Sequence, residues 1–140
     1  MARDIEQGIF ALLSNNEDVK HWSAGRVYVG NAPQGVAVPY VVYRRSASRH
    51  VQSAAGFASL AVATISIQGW AATYDDAKQL VRAIRLAMVN GAPDTIGGVY
   101  IHTILMGSDS DTQEQVVQGE ETGEFAVETD YEVWYSEDAT

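Results

Sequence analysis

The residues that could carry out chemistry are few, and their spacing matches no catalytic pattern. His21, His50 and His102 lie far apart in the chain, without the HExxH spacing that binds zinc. The sequence has no cysteine, which excludes thiolate metal sites and cysteine nucleophiles. It also lacks the GxSxG, Walker and GxGxxG patterns of hydrolases and nucleotide-binding proteins. We therefore expect no enzyme activity, no metal site and no cofactor.

Two acidic groups have residue types that could form a metal or proton-transfer site. Asp109 and Asp111, with Glu120 at the twelfth position, resemble a calcium loop, but Glu114 stands at the sixth position, where the loop needs glycine. The Asp75–Asp76 pair falls in the first turn of a predicted helix, where carboxylates interact favourably with the helix dipole. We interpret the first group as a solvated acidic segment and the second as helix-capping residues.

The charge of the chain is large and unevenly distributed. Nine Lys and Arg against eighteen Asp and Glu give a net charge of −9, which argues against nucleic-acid binding by phosphate neutralisation. Residues 1–85 hold all nine basic residues and six acidic ones, whereas residues 86–140 hold twelve acidic residues and no basic one. This pattern fits a solvated acidic face. It equally fits a subunit whose opposite sides attract another copy, or a ring whose lumen repels DNA.

The remaining candidate residues indicate an interface. They form a basic segment and an acidic strand with one tryptophan: Arg44, Arg45, Arg49 and His50, and Glu128, Asp130, Glu132 and Trp134. As solvated edge charges, the basic residues would discourage aggregation of the sheet. As an interface, they would pair with the acidic region 107–132 of a neighbouring copy. The alternation of the last strand puts Trp134 on its polar face, so this residue is a candidate interface anchor.

Periodicity predicts the elements that must position these residues. Helical spacing of apolar residues predicts one helix from Asp4 to Ser14 and a second that begins after Thr73 and ends at Asn90–Gly91. Alternation and β-branched residues predict strands over 26–29, 40–45, 60–70, 99–106 and 124–135. Residues 46–59 are predicted to form a long loop or a hairpin tip, and residues 107–123 an acidic loop or hairpin.

The element order α-β-β-β-α-β-β predicts an α+β fold. We expect a single domain over residues 1–140, with a mostly antiparallel sheet of four to five strands and two helices packed on one face. The N-terminus lacks the basic start and apolar stretch of a signal peptide, and the apolar runs are too short for a membrane helix. The expected protein is therefore a soluble domain that folds inside the cell.

A series of short motifs then gives the chain a resemblance to a known family. In order, they are Gly25–Tyr28 (GRVY), Ala32–Gly35 (APQG), Pro39–Tyr43 (PYVVY), Ile67–Trp70 (IQGW) and Tyr131–Tyr135 (YEVWY). This succession resembles the tail-completion, or tail terminator, proteins of long-tailed bacteriophages. The resemblance extends from about residue 5 to residue 136, and its motifs are structural rather than catalytic.

The resemblance implies a structural virion protein. Such proteins form a ring, typically of six copies, at the head-proximal end of the tail tube, where they stop tube growth and provide the joint to the head. The implied partners are further copies of the chain, the tail tube protein and the head–tail connector, with DNA only in transit through the lumen and no membrane. The implied location is the virion, with assembly in the host cytoplasm.

Two other functions are compatible with the residues. The first is a head–tail connector or stopper ring on the portal side, which would also be small and non-enzymatic. The second is a small-ligand-binding α+β domain, which would be a monomer or dimer with an apolar pocket.

Overall fold

A computed structural model describes residues 5–53, 56–96, 99–116 and 123–136 of the chain. The three helices are α1 (Ile5–Ser14), α2 (Glu17–Ser23) and α3 (Tyr74–Val89). The strands are β1 (Val27–Val29), β2 (Tyr40–Ser53), β3 (Gly56–Ala71), β4 (Asp94–Ile96), β5 (Val99–Val116) and β6 (Gly123–Ser136).

The strands form one six-stranded sheet in the order β1-β2-β3-β6-β5-β4. β1 pairs with β2 in parallel, and the other neighbouring strands are antiparallel. The α+β class and the mostly antiparallel sheet agree with the prediction, but four to five strands and two helices were too few. The described residues add α2 and β4 to the predicted order.

The helix missed by the sequence analysis, α2, begins where α1 was expected to end in a loop. Asn16 is its N-cap, and the Asn16 side-chain oxygen accepts hydrogen bonds from the backbone N–H groups of Asp18 and Val19, each 3.0 Å long. Asn and Asp favour loops and helix caps alike, because their side-chain oxygens can accept hydrogen bonds from nearby backbone N–H groups in place of backbone carbonyls. Polar residues between two elements therefore did not distinguish a loop from the start of a seven-residue helix.

The longest helix, α3, follows its prediction. The Thr73 hydroxyl accepts a hydrogen bond from the Asp76 N–H at 3.1 Å, and the helix ends at Val89, with Asn90 as C-cap. The predicted apolar stripe is buried along its length: Ala77, Leu80, Val81, Ile84 and Met88. α1 begins at Ile5, and Asp4, where the predicted helix begins, lies outside the described residues.

Strands β2, β3 and β5 are longer than their apolar patterns indicated. Residues 46–53 belong to β2 and residues 56–59 to β3, with Ser53 opposite Gly56. β5 likewise continues past Met106 to Val116 and pairs with β6 as far as Gly123. Small polar residues have weak strand propensity, but pairing with a neighbouring strand overrides it. Residues 54–55 of the predicted segment 46–59 and residues 117–122 of the predicted segment 107–123 lie outside the described residues.

The core lies between the helices and one face of the sheet. Its largest fully buried members include Ile9, Leu13, Ile65, Leu80 and Tyr131. At Gly69, a Cβ atom would stand 3.0 Å from the Val81 side chain, so the glycine lets α3 approach β3 closely. The burial of these apolar groups accounts for most of the stabilisation of the fold.

Candidate assembly surface

One face of the sheet is polar along its two central strands and points away from the core. Polar residues of β3 lie opposite acidic residues of β6 in direct cross-strand pairs: Thr64–Glu132, Ser66–Asp130 and Gln68–Glu128. All six residues are half-buried, whereas Ile65, Ile67 and Tyr131, which alternate with them, are buried against the helices. The predicted acidic face of the last strand is therefore present in the fold. We call it the polar sheet face.

Hydrogen bonds within the polar sheet face hold two of its three acidic side chains. The Ser66 hydroxyl donates to a carboxylate oxygen of Asp130 at 2.7 Å, and the indole N–H of Trp134 donates to Glu132 at 2.8 Å. Charge-assisted bonds of this kind are stronger than neutral ones. They orient the Asp130 and Glu132 carboxylates along the sheet, so the negative charge has a fixed place on this face.

The predicted basic segment divides between the two faces of β2. Arg44 lies opposite Ser66 in the register and Arg49 opposite Val62, so both belong to the polar sheet face. Arg45 points to the helix side, where its guanidinium lies 3.6 Å from the Glu6 carboxylate. A β-bulge between Arg45 and Ala47 shifts the alternation. Arg44 and Arg45 lie on opposite faces by ordinary alternation, whereas the bulge brings Arg49 to the face of Arg44 and places His50, opposite Ala61, on the helix side. The interface role of these residues stays a prediction.

Two of the predicted interface residues meet within one chain. The Arg49 guanidinium lies over the Trp134 ring, 5.5 Å from its centroid. Arg49 and Glu132 also line the same shallow pocket on the polar sheet face. β2 and β6 are separated only by β3, at about 4.8 Å per strand spacing. The basic and acidic strands thus share one surface, where Arg49, Glu132 and Trp134 form a connected group.

An aromatic group around Trp70 lies at one end of the same face. The rings of Tyr40 and Trp70 stack with centroids 5.9 Å apart, and Tyr28 meets Tyr40 edge to face at 6.3 Å. Tyr40 and Trp70 are cross-strand partners. Their shared position could have been found only from the register, because the two residues stand thirty positions apart.

A groove of about 400 Å³ lies at the β1 side of the sheet and was not predicted. It is lined by Glu6, Gln7, Phe10, Val29 and Tyr43. Phe10 and Val29 are 46% and 54% exposed, which is unusual for large apolar side chains next to each other. The sequence signal was present, because Phe10 falls outside the Ile5–Ile9–Leu13 stripe that faces the core.

Within the part of the chain that the structure describes, the histidines and acidic residues form no recognisable catalytic constellation. His102 is exposed at the rim of the sheet, where one ring nitrogen lies 2.6 Å from the Ser136 hydroxyl and the ring meets Tyr100 edge to face at 4.6 Å. Over the described ranges, no group of three or more His, Cys, Asp or Glu residues is arranged to hold a metal ion. The side chains of the calcium-loop residues 109–120 lie outside the described part of the chain.

Among the helices that the structure describes, none combines the length and apolar character required to cross a bilayer.

The fold is similar to that of a virion protein. A chain in the solved structure "Virion of native gene transfer agent (GTA) particle" superimposes with a TM-score of 0.71. The two are 16% identical, and the alignment covers 94% of each chain. A comparison with curated protein sequences gives no significant match.

The family model "Tail completion protein gp17" matches residues 7–136. The match covers nearly the whole chain and includes every motif on which the resemblance was based. The chain belongs to this tail completion family. Its class is therefore that of structural proteins of phage tails, as the sequence motifs indicated.

Proposed function

We propose that the protein closes the head-proximal end of a phage tail tube as a hexameric ring. In this position it stops tube growth, offers the surface that joins the head connector, and leaves a lumen through which DNA passes. The observation that carries the proposal is the family match over residues 7–136, to which the virion protein fold adds support. The protein is then part of the virion and assembles in the host cytoplasm.

The action of such a protein is steric rather than chemical. One surface binds the last ring of tube protein and buries the contacts that would recruit another tube ring. A different surface then binds the connector on the head side. Within the ring, each copy must contact its neighbours through two unlike surfaces, since a closed ring with more than two copies requires a heterologous interface.

The polar sheet face is suited to line the lumen. Glu128, Asp130 and Glu132 lie along its centre, and hydrogen bonds already hold two of these carboxylates in place. Carboxylates repel DNA phosphates, whereas contacts with Lys and Arg would bind them and slow passage. The helices, on the opposite face, then form the outside of the ring.

Charge pairing between copies is the electrostatic part of the proposal. Arg44 and Arg49 of one copy would face the acidic 107–132 region of the next, with Trp134 at the edge of that contact, whereas His50 lies opposite Ala61 on the helix side of β2. Arg45 is left out of this pairing, because its guanidinium already lies beside Glu6 in its own chain.

The test is electron microscopy of lysates from the producing phage with this gene disrupted. We expect DNA-filled heads beside free, overlong tails, because tube growth would lack its stop. Free tails of normal length beside unjoined heads would instead assign the protein to the connector on the portal side. Intact joined particles of normal length would refute both assignments and favour ligand screening of the groove beside Phe10 and Val29.

A further inference from the structure

The sheet has two long edges that no strand covers in the described ranges. β1 pairs with β2 only at Val41–Tyr43, so the edge of β2 is open from Arg44 to Ser53. β4 pairs with β5 only at Val99–Ile101, so the edge of β5 is open from His102 to Val116. Open edges of about 30 Å or more present unpaired N–H and C=O groups to another strand.

The two open edges carry opposite charge. The open part of β2 contains Arg44, Arg45 and Arg49 and no acidic residue, and the open part of β5 contains Asp109, Asp111 and Glu114 and no Lys or Arg. Pairing β2 with β2, or β5 with β5, would bring like charges together across the strands, which is destabilising. Only pairing of β2 with β5 places opposite charges together. The charges therefore favour this pairing and disfavour both pairings of like edges.

Strand direction fits the same pairing. β2, β3, β6 and β5 alternate in direction, because each neighbouring pair among them is antiparallel. β2 and β5 therefore run in opposite directions within one copy. In a ring whose strands run more along the axis than around it, rotation about the axis keeps the sense of each strand, so β5 of one copy meets β2 of the next in antiparallel orientation. The alternation of the sheet then continues without a break.

The β-bulges mark which parts of the two edges are regular. In β2, bulges after Arg45 and after His50 leave the regular stretch Ala47–His50. In β5, bulges after Met106 and after Thr112 leave Asp109–Thr112, which is equally long. A bulge interrupts the hydrogen-bond ladder, so stretches between bulges are the natural sites of pairing.

The backbone groups of Ser48 and His50 point out of the β2 edge. Near Tyr43, the hydrogen bonds to Arg26 and Gly30 show that Val41 and Tyr43 direct their backbone groups away from β3. Backbone groups alternate along a strand, and the extra residue in the bulge shifts this alternation by one position. The backbone N–H and C=O groups of Ser48 and His50 therefore point outward, away from β3.

We propose that β2 of one copy pairs with β5 of the next copy, through Ala47–His50 and Asp109–Thr112, so that the sheets of all copies join into one. The proposal rests on the proposed function, because it supplies the contact that closes the ring. The partner of each open edge is a second copy of this chain, and opposite charge and strand direction favour it.

Charge reversal tests the pairing. One variant, Arg44→Glu with Arg49→Glu, makes the β2 edge acidic; the other, Asp109→Arg with Asp111→Arg, makes the β5 edge basic. Each is supplied from a plasmid to the phage with the gene disrupted, alone or together, and joined particles are counted. We expect loss of joined particles with either variant alone and recovery when both are present, because reversed copies can alternate around an even-numbered ring with opposite charges at every contact.

The control and the contrary results are specific. Lys20→Glu with Arg82→Glu makes the same change of net charge as the β2 variant, on exposed residues of the helical layer, and should leave the particle count unchanged. Joined particles at wild-type yield with either reversed variant alone, or no recovery with both, would overturn the pairing. Failure of the proposed function would appear separately, as normal joined particles with the gene disrupted and no plasmid.

A second variant tests the backbone part of the contact. Ser48→Pro removes an N–H that points out of the β2 edge and keeps the bonds to β3, whereas Ser48→Ala keeps the N–H. We expect loss of joined particles with Ser48→Pro only, at an unchanged melting temperature of the purified chain. Equal particle counts for the two variants, with both chains folded, would overturn the edge pairing.

Discussion

The two faces of the sheet differ in what they contribute to the protein. On the helix side, Ile65 and Tyr131 are completely buried and the interactions are apolar packing. On the polar sheet face, the adjacent residues Ser66 and Asp130 are hydrogen-bonded to each other and half-buried. Along the same strands, buried apolar residues therefore alternate with half-buried, hydrogen-bonded residues, with a period of two.

The strongest test of this separation replaces a buried residue of β3. Ile65→Ala should lower the free energy of unfolding by about 2–5 kcal/mol, because it removes buried methyl groups and leaves a cavity. The neighbouring change Thr64→Ala, on the polar sheet face, should cost about 0.5 kcal/mol or less. Urea unfolding of both purified chains measures the difference. Equal losses would contradict the division between the faces.

A second test concerns the contact between β3 and α3. Gly69→Ala should lower the free energy of unfolding by about 1–3 kcal/mol, because the added methyl group would meet the Val81 and Leu80 side chains at 3.0–3.1 Å. Thermal unfolding of the purified variant measures this loss. If the Gly69→Ala chain is as stable as the wild type, α3 does not lie as close to the sheet as described.

The N-cap of α3 gives a smaller expected effect on the helix side. Thr73→Ala should cost about 1 kcal/mol, because the Asp76 N–H loses its acceptor. Thr73→Ser keeps the hydroxyl and should stay close to the wild type in the same thermal unfolding measurement. A Ser variant as unstable as the Ala variant would mean that the hydroxyl is not the capping group.

The smallest effect is expected on the polar sheet face itself. Ser66→Ala removes the donor to Asp130 and should cost about 0.5–1 kcal/mol, because water can replace a bond at a half-buried site. Chemical denaturation measures the change, with Ile65→Ala as the reference for a buried position. A loss as large as that of Ile65→Ala would show that this face is also part of the stabilising core.

The helix-side face was the more predictable of the two. The 3.6-residue period of α3 and the alternation of β6 from Val127 to Tyr135 identified buried residues correctly, because burial of an apolar face imposes its period on the sequence. The faces of Arg49 and His50 could not be predicted for the opposite reason. A bulge after Arg45 adds one residue without any apolar signal, and from there on each side chain changes face.

The polar ends of the long strands could not be predicted for a related reason. Residues 46–53 contain mostly small or charged side chains, so their strand structure depends on pairing with β3 rather than on their own propensity. The Arg49–Trp134 contact likewise joins residues from two strands that are separated by a third. Such a contact depends on sheet order, which one sequence does not contain.

The short strands β1 and β4 cover opposite corners of the sheet. β1 lies beside the start of β2, level with the Trp70 end of β3, and β4 lies beside the start of β5, level with the Leu60 end. Neighbouring copies that pair through the uncovered parts of these edges must therefore be offset along the strands, always in the same sense. An offset repeated around a closed sheet tilts every strand relative to the ring axis. The rows of polar side chains would then wind around the channel as a helix instead of running straight along it.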